Sequence, residues 1–135
     1  MDEIDYKILQ ILRQNARCTN SEIGAAVKLT EGAVRNRIKR LKEASVIKRF
    51  TIETQPDEAE AIVLIRTQTK TSKEILKRIR KYSTRLFETA GEYDVAAYLA
   101  AQNVREINEN VDRLRGIDGV ISTMTLLKIA EDQLS

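Results

Sequence analysis

The sequence predicts an α+β protein whose N-terminal part is helical and whose C-terminal part follows the order βαββαβ. Two observations carry this prediction. Segments with helical apolar periodicity fill residues 1–44, and strand-like and helical segments then alternate through two consecutive β-α-β units. A chain of 135 residues has room for two small domains, which we expect at 1–55 and 61–135, joined by a linker at 56–60. The order βαββαβ is that of the ferredoxin-like split βαβ sheet, with both helices on one face.

The N-terminal part is expected to hold three helices. The first covers 2–15, and the second opens at a capping box, because the side chains of Thr19 and Glu22 can each satisfy a backbone amide of the other. Thr30 is the expected N-cap of the third helix, 31–44. The apolar positions that share a face are Ile4, Ile8, Ile11 and Leu12, then Ile23, Ala26 and Val27, then Val34, Ile38 and Leu41. Three short helices of this kind match a helix-turn-helix.

The run 46–52 is rich in branched and aromatic residues and is therefore predicted to form one strand of a basic wing. This makes the N-terminal domain a winged helix-turn-helix. The pattern then breaks at 55–58, which contains Pro56, the only proline of the chain. We place the domain boundary there.

The C-terminal part is predicted to contain strands at 61–69, 85–90, 94–101 and 120–129. A capping box from Thr71 to Glu74 is expected to open the helix that ends near Tyr82, and Asn103 is expected to cap the helix that ends before Gly116. In the last strand, Met124 and Leu126 lie on the face that the helices leave uncovered. An exposed apolar face on so small a domain predicts association, so we expect at least a homodimer formed sheet to sheet.

Composition excludes several classes of function. The chain has no His and a single Cys, Cys18, so the usual zinc, haem, Ser-His-Asp and Cys-His sets cannot be assembled. We therefore expect no enzyme, no metal and no cofactor. The charged N-terminus and the lack of a long apolar run predict a cytoplasmic protein without a membrane span.

Positive charge is concentrated in the N-terminal part. Residues 1–50 hold 11 Lys and Arg against 6 Asp and Glu, whereas residues 51–135 hold 12 against 14. A basic third helix favours binding to double-stranded DNA, although a solvated helix face is the simpler alternative. The residues expected to contact DNA are Thr30, Gly32, Ala33, Arg35, Asn36, Arg37, Lys39, Arg40, Lys42, Lys48 and Arg49. Asn36 suits adenine and Arg35 suits guanine, but Arg35 and Arg37 flank the inner face, so one of them is alternatively structural.

A second group of residues has two interpretations. Gly91, Glu92, Tyr93 and Asp94 form either a β-turn between two strands or a loop that holds a small ligand. In the ligand interpretation, Glu92 or Asp94 binds an ammonium group, and the hydroxyls of Thr123 and Thr125 bind a carboxylate or a side chain. Both threonines are alternatively ordinary strand residues.

Motifs along the chain resemble those of the Lrp/AsnC family, the feast/famine transcription regulators of bacteria and archaea. The matching segments are IDYKIL at 4–9, NARCTNSEIG at 15–24, VRNRIKRL at 34–41, ASVI at 44–47, GEYD at 91–94 and IDGV at 117–120. The chain departs from the family pattern at Gly24, where Ala is usual, at Ala44 and Ser45, where a helix-ending Gly is usual, and at Asp118, where Pro is usual.

The resemblance implies a regulator of amino-acid metabolism whose DNA binding and oligomerisation respond to a free amino acid. It also implies dimers, often assembled as tetramers of dimers (octamers), with the effector bound near the GEYD loop between dimers. Two acids in that loop favour lysine as the effector. The alternative is an architectural DNA-binding protein that coats DNA without a ligand.

Overall fold

The computed structural model describes residues 1–53, 59–68 and 71–132. The helices in these residues are α1 (Glu3–Gln14), α2 (Asn20–Val27), α3 (Glu31–Glu43), α4 (Lys73–Arg80) and α5 (Val104–Arg115). The strands are β1 (Ala59–Thr67), β2 (Arg85–Glu88), β3 (Val95–Ala101) and β4 (Val120–Leu127). Contacts divide the chain into two compact units, Met1–Gln55 and Pro56–Ser135. The break expected at 55–58 and the strand end expected at Thr69 lie outside the described residues.

Each helix of the first unit is capped at its N-terminus by a side chain. The predicted box at α2 is confirmed: the Glu22 amide donates to Thr19 Oγ1 (3.1 Å), and the Thr19 amide donates to Glu22 Oε2 (3.2 Å). Thr30 caps α3, since its Oγ1 accepts from the Ala33 amide at 3.2 Å. A further box, between Asp2 and Asp5, begins α1. These caps satisfy amides that a helix start leaves without partners.

The core of the first unit follows the predicted apolar stripes. Ile8, Ile23 and Val34 are fully buried, and the partly buried residues packed on them are Ile4, Ile11, Leu12, Cys18, Val27, Leu29 and Ile38. Ala26 is an exception, because it is exposed and Gly24 is buried instead. A Cβ at Gly24 would lie 2.5 Å from the Leu29 carbonyl oxygen, so the close α2–α3 turn excludes a side chain there.

The predicted wing strand at 46–52 is wrong for this chain taken alone. Residues 46–53, all described, contain no helix or strand. A strand requires a neighbour to pair its backbone groups, and the described part of the first unit offers none. After α3 the chain instead turns through Ser45 in the left-handed region (φ 58°), and the Val46 amide donates to the Leu41 carbonyl oxygen at 2.9 Å.

The second unit has the predicted βαββαβ order. Its antiparallel sheet has the strand order β2-β3-β1-β4. One sheet face packs against both helices in a core made of Ala61, Val63, Ile65, Ile79, Val95, Ala97, Leu99, Ala101, Ile107, Val111, Leu114 and Ile117. The ferredoxin-like arrangement is therefore confirmed, with α4 and α5 on the same side.

The opposite sheet face is apolar and uncovered in the single chain. Register places Leu64 beside Met124 and Ile62 beside Leu126, while Phe87 lies beside Ala96. Met124 is 46% exposed and Leu126 is 50% exposed. This confirms the prediction that the helices leave the face of the last strand bearing these residues uncovered. We call this surface the open sheet face.

Several boundaries in the second unit differ from the predictions by one or two residues, and β1 already begins at Ala59, inside the linker expected at 56–60. Ser72, not Thr71, caps α4, because Ser72 Oγ accepts from the Ile75 amide at 3.2 Å. Thr71 instead shares a hydrogen bond with Thr67. The last strand ends at Leu127 rather than 129, and Ile129 is 96% exposed. The Asn103 cap of α5 is confirmed by a 2.9 Å bond from the Glu106 amide. No helix among the described residues has the length and apolar character that crossing a membrane requires.

Gly119 is the glycine on which the start of β4 depends. Its φ is +96°, and a Cβ there would lie 2.7 Å from Ile75 Cδ1 of α4. We expect Gly119→Ala to lower the free energy of unfolding by about 1–3 kcal/mol through backbone strain. Gly116→Ala is the matched control, since Gly116 has φ −78° and a Cβ there would have its nearest contact at 3.5 Å.

The control should be neutral or stabilising by up to about 1 kcal/mol. Chemical denaturation of both variants measures the two changes. Equal free energies of unfolding for the two variants would contradict the assigned role of Gly119.

Candidate DNA-binding surface and effector loop

The outward surface of α3 collects most of the predicted DNA-contacting residues. Its exposed basic and amide side chains are Arg35, Asn36, Lys39, Arg40 and Lys42, and the acids Glu31 and Glu43 are exposed at its two ends. Among the described residues, Asn36, Lys39 and Arg40 have no side-chain hydrogen bond or ion pair. Their donors therefore face solvent and are available to a ligand.

The first turn of α3 presents little bulk. A Cβ placed on Gly32 would meet no atom within 4 Å, and the neighbouring Ala33 adds only a methyl group. Thr30 uses its hydroxyl oxygen to accept the Ala33 amide, while its hydroxyl proton remains a donor. This end of α3 thus allows close approach of a surface to the backbone, as a recognition helix requires.

Arg35 and Arg37 have different surroundings. Arg35 pairs with Glu31 one turn earlier on the exposed surface of the same helix. Arg37 reaches α1 instead, where its Nη1 lies 2.7 Å from Asp2 Oδ2 and 3.1 Å from Asp5 Oδ1. Its side chain is only 25% exposed. Of the two residues left open by the sequence, Arg37 is therefore the one with a structural contact.

The ion pairs of Arg37 with Asp2 and Asp5, which we call the Arg37 cluster, shift the pKa of Asp2 and the pKa of Arg37. The hydrogen bond from Arg37 lowers the pKa of Asp2 to about 2, and the same bond raises the pKa of Arg37. Sequence reasoning missed the cluster because Asp2 and Arg37 are 35 positions apart. The cluster holds α3 against the start of α1.

The basic residues that follow α3 are also exposed. Lys48 and Arg49 lie in the irregular segment after the helix. Lys42, in the last turn, has its Nζ 5.9 Å from the centre of the Phe50 ring. These cations extend the positive surface beyond α3 without forming the expected wing.

The GEYD loop in the second unit is a turn between β2 and β3. Gly91 has φ +134°, the Thr89 amide donates to the Asp94 carbonyl oxygen at 3.0 Å, and Thr89 Oγ1 donates to the Tyr93 carbonyl oxygen at 2.7 Å. The Asp94 carboxylate accepts from the Thr67 amide at 2.8 Å, which secures the end of β1. The turn interpretation thus accounts for Gly91 and Asp94.

Glu92 and Tyr93 are arranged around a residue that sequence reasoning missed, Arg66. The Arg66 guanidinium donates to the Glu92 carbonyl oxygen and to the Glu92 carboxylate, both at 3.2 Å. It also lies 5.4 Å from the centre of the Tyr93 ring, and the Tyr93 hydroxyl is 3.7 Å from Met124 Sδ. The only sequence signal for Arg66 was a charge near the end of an apolar strand.

Thr123 and Thr125 do not join this cluster. Register pairs them with Ile65 and Val63, so they lie on the helix-covered face, opposite Met124. Arg115 of α5 donates its Nε–H to Thr123 Oγ1 at 3.0 Å. The structure therefore divides the six predicted effector residues between the GEYD loop and the helix-covered face of the sheet.

Sequence comparisons assign the chain to a family. The AsnC-type helix-turn-helix domain matches residues 1–42. The HTH-type transcriptional regulator LysM of Sulfurisphaera tokodaii is 41% identical over 91% of each chain. The HTH-type transcriptional regulator FL11 of Pyrococcus furiosus is 32% identical over 94% of this chain and 88% of its own. The chain belongs to the Lrp/AsnC family of transcriptional regulators.

Solved structures of other regulators show the same fold. AsnC of E. coli superimposes with a TM-score of 0.80 at 19% identity, covering 100% of this chain and 96% of its own. A transcriptional regulator of Neisseria meningitidis, solved as a complex with L-Met, gives 0.80 at 23% identity, covering 98% and 92%. A helix-turn-helix unit followed by a ferredoxin-like unit is thus the architecture of this Lrp/AsnC member. The relatives named above are transcriptional regulators rather than enzymes.

The Arg37 cluster predicts a specific dependence of stability on pH. The pKa of Asp2 falls from 3.8 to about 2 on folding. The stabilisation is therefore complete above about pH 3.8 and is lost as the pH falls through about 2. Arg37→Gln should lower the thermal midpoint at neutral pH, and its difference from wild type should narrow between about pH 4 and pH 2.

Thermal melts at several pH values measure this effect. Arg35→Gln removes the same charge from the same helix but breaks only an exposed pair with Glu31. It should lower the midpoint less, because exposed pairs contribute little. Identical pH profiles for the two variants would show that Arg37 has no special structural role.

Proposed function

We propose that this Lrp/AsnC regulator binds duplex DNA through α3 and senses a free amino acid through the loop that contains Glu92. The observation that carries the proposal is the division of cations on α3. Arg37 is held by α1, whereas Arg35, Lys39 and Arg40 face outward beside the neutral Asn36. A recognition helix requires both an anchored inner side and a free outer side.

On the DNA surface, the roles differ by residue type. Lys39, Arg40, Lys42, Lys48 and Arg49 are proposed to contact phosphates, which gives affinity without sequence information. Asn36 is proposed to read adenine, and Arg35 is proposed to leave Glu31 and read guanine. Thr30, Gly32 and Ala33 are proposed to lie closest to the DNA backbone. Arg37 is proposed to act indirectly, by holding the helix.

At the effector loop, Arg66 of β1 and Glu92 of the loop offer one positive and one negative group 3.2 Å apart. This pair is complementary to the carboxylate and ammonium of a zwitterionic amino acid, which would replace the internal ion pair by two new ones. The structural neighbour from Neisseria was solved with L-Met, which supports an amino acid as the class of effector. The preference for lysine rests on Glu92 alone, since Asp94 is engaged by the Thr67 amide.

The open sheet face is proposed to pair with the same face of a second copy, as the sequence analysis anticipated. Half-exposed Phe87, Met124 and Leu126 lie on the two edge strands of this face, β2 and β4. Their burial in a homodimer would remove an apolar patch that a monomer leaves in water. Assembly of dimers into tetramers of dimers is the expected higher state, in which an effector can change the spacing of paired recognition helices.

The DNA surface is tested by comparing Asn36→Ala with Lys39→Ala. Loss of a base contact should cost Asn36→Ala about 1–3 kcal/mol on the preferred sequence and little on random duplex. Lys39→Ala should weaken binding to both and reduce the slope of log affinity against log salt by about 0.9.

Binding isotherms on selected and random duplexes at several salt concentrations measure both effects. Lys7→Ala is a control from α1, where Lys7 is exposed and ion-paired with Glu3. Equal losses on selected and random DNA for Asn36→Ala would exclude its base-reading role.

The effector is tested by a thermal-shift screen of the twenty amino acids on wild type. A true effector at about 100 times its Kd stabilises the folded state by about 2.7 kcal/mol. Glu92→Gln should lower the affinity for that ligand by roughly 10-fold or more, because a charge-assisted hydrogen bond is lost. Glu88→Gln, which removes an exposed acid from neighbouring β2, should leave the shift unchanged.

Each hit is then added to the DNA-binding assay. A change in DNA affinity supports the regulator. No stabilising amino acid at millimolar concentrations would instead support the architectural, ligand-independent alternative.

A further inference from the structure

A second concentration of positive charge lies on α4, in the part of the chain whose net charge is negative. Residues 73–85 contain six Lys and Arg and one Glu. Four of the cations occur at the spacing i, i+4, i+7 and i+8, which places them on one side of the helix and its C-cap. We name these four the α4 stripe: Lys73, Lys77, Arg80 and Lys81.

The α4 stripe is exposed and electrostatically unneutralised. All four residues are exposed, and none forms an ion pair with a described acid. The neighbouring Arg78 differs, because its Nε lies 3.4 Å from Glu74. On α5, Arg105 and Arg115 are likewise paired, with Glu109 and Asp112. Arg78, Arg105 and Arg115 are thus each paired with an acid of their own helix, whereas the four cations of the stripe are not.

A polar cleft of about 380 Å³ lies at the C-terminal end of the stripe. Its lining residues are Lys81, Tyr82, Ser83, Thr84, Ala100, Asn110 and Arg113. Lys81 Nζ and Arg113 Cζ each lie 5.9 Å from the centre of the Tyr82 ring. The ring therefore brings a cation of α5 beside the end of the stripe, and Arg113 has no acidic partner among the described residues.

Helix stability does not account for the whole pattern. Cations in the last turn of α4 are favoured by the helix dipole, which explains Lys77 and Arg80. The same dipole disfavours a cation in the first turn, where Lys73 lies, and it does not involve Arg113 of another helix. Helix stability therefore leaves Lys73 and Arg113 without an explanation.

We propose that the α4 stripe and Arg113 bind the phosphate backbone of duplex DNA, as a contact additional to that of α3. From Lys73 to Lys81 the helix rises about 12 Å, and over that length a duplex presents one negative charge per roughly 1.7 Å of its axis. A line of separated cations fits such a polyanion better than a compact phosphate, which would engage only the cleft. The stripe lies on the helix layer, opposite the open sheet face, so sheet-to-sheet pairing leaves it accessible.

The inference rests on the proposed DNA binding, and salt dependence separates the two. The test uses the full-length chain and a mixed-sequence duplex of about 60 base pairs, roughly six helical turns. The stripe variant, Lys77→Gln/Lys81→Gln, is compared with a control variant, Arg78→Gln/Arg105→Gln. The control also removes two positive charges from the helix layer, but both lie outside the stripe. Loss of two phosphate contacts should reduce the salt slope by about 1.8 in the stripe variant, with little change in the control.

Each outcome has one meaning. A reduced slope confined to the stripe variant, restored by Lys77→Arg/Lys81→Arg, supports the second contact. Equal slopes for stripe and control variants overturn it, while the effect of Lys39→Ala still supports binding through α3. No binding of wild type to any duplex rejects the proposed function itself. If tripolyphosphate stabilises wild type but not the stripe variant, and the DNA slopes are equal, the stripe binds small phosphates and the DNA contact is excluded.

Discussion

The second unit depends on β1, which is hydrogen-bonded on both sides and alternates between two apolar environments. Its inward residues, Val63 and Ile65, are fully buried under the helices, while Ile62 and Leu64 face the open side. Because the side-chain period of a strand is two, a register slip of one residue would exchange these faces. The Asp94 carboxylate opposes such a slip by holding the Thr67 amide at the end of the strand. The loop that carries the proposed effector residues is thereby attached to the central strand.

In the first unit, residues of one chemical type have different roles because of their position around α3. Arg37 is directed to two carboxylates at the start of α1, where its Nη1 donates to both Asp2 and Asp5. Lys39 and Arg40, only two and three positions later, face away from the core and have no acidic partner in the described chain. A count of basic residues treats these groups as equal. Only the folded helix distinguishes a cation that stabilises the unit from one that is available to DNA.

Local rules predicted much of the fold and less of the site. Helix stripes, the capping box at Thr19 and the cap at Asn103 act within one or two turns, so sequence spacing was sufficient to find them. The wing strand was predicted wrongly because propensity in 46–52 does not supply a pairing partner. Arg66 and the Asp2–Arg37 contact were missed because they join distant positions. The predicted cap of α4 was wrong by one residue, because Thr71 and Ser72 can both cap a helix. In the structure the Thr71 hydroxyl forms a hydrogen bond with Thr67 instead.

The two faces of the second unit have opposite physical character, and this allows two kinds of association at once. The open sheet face is apolar and favours a partner that removes it from water. The helix layer carries the α4 stripe, whose unpaired cations favour a polyanion and would oppose a second copy of the same surface by charge repulsion. Since the proposed sheet packing and the proposed phosphate contact use different sides, a dimer would keep both basic surfaces accessible. Two stripes on one dimer would release counterions together, so their contribution to DNA affinity would increase steeply as salt is lowered.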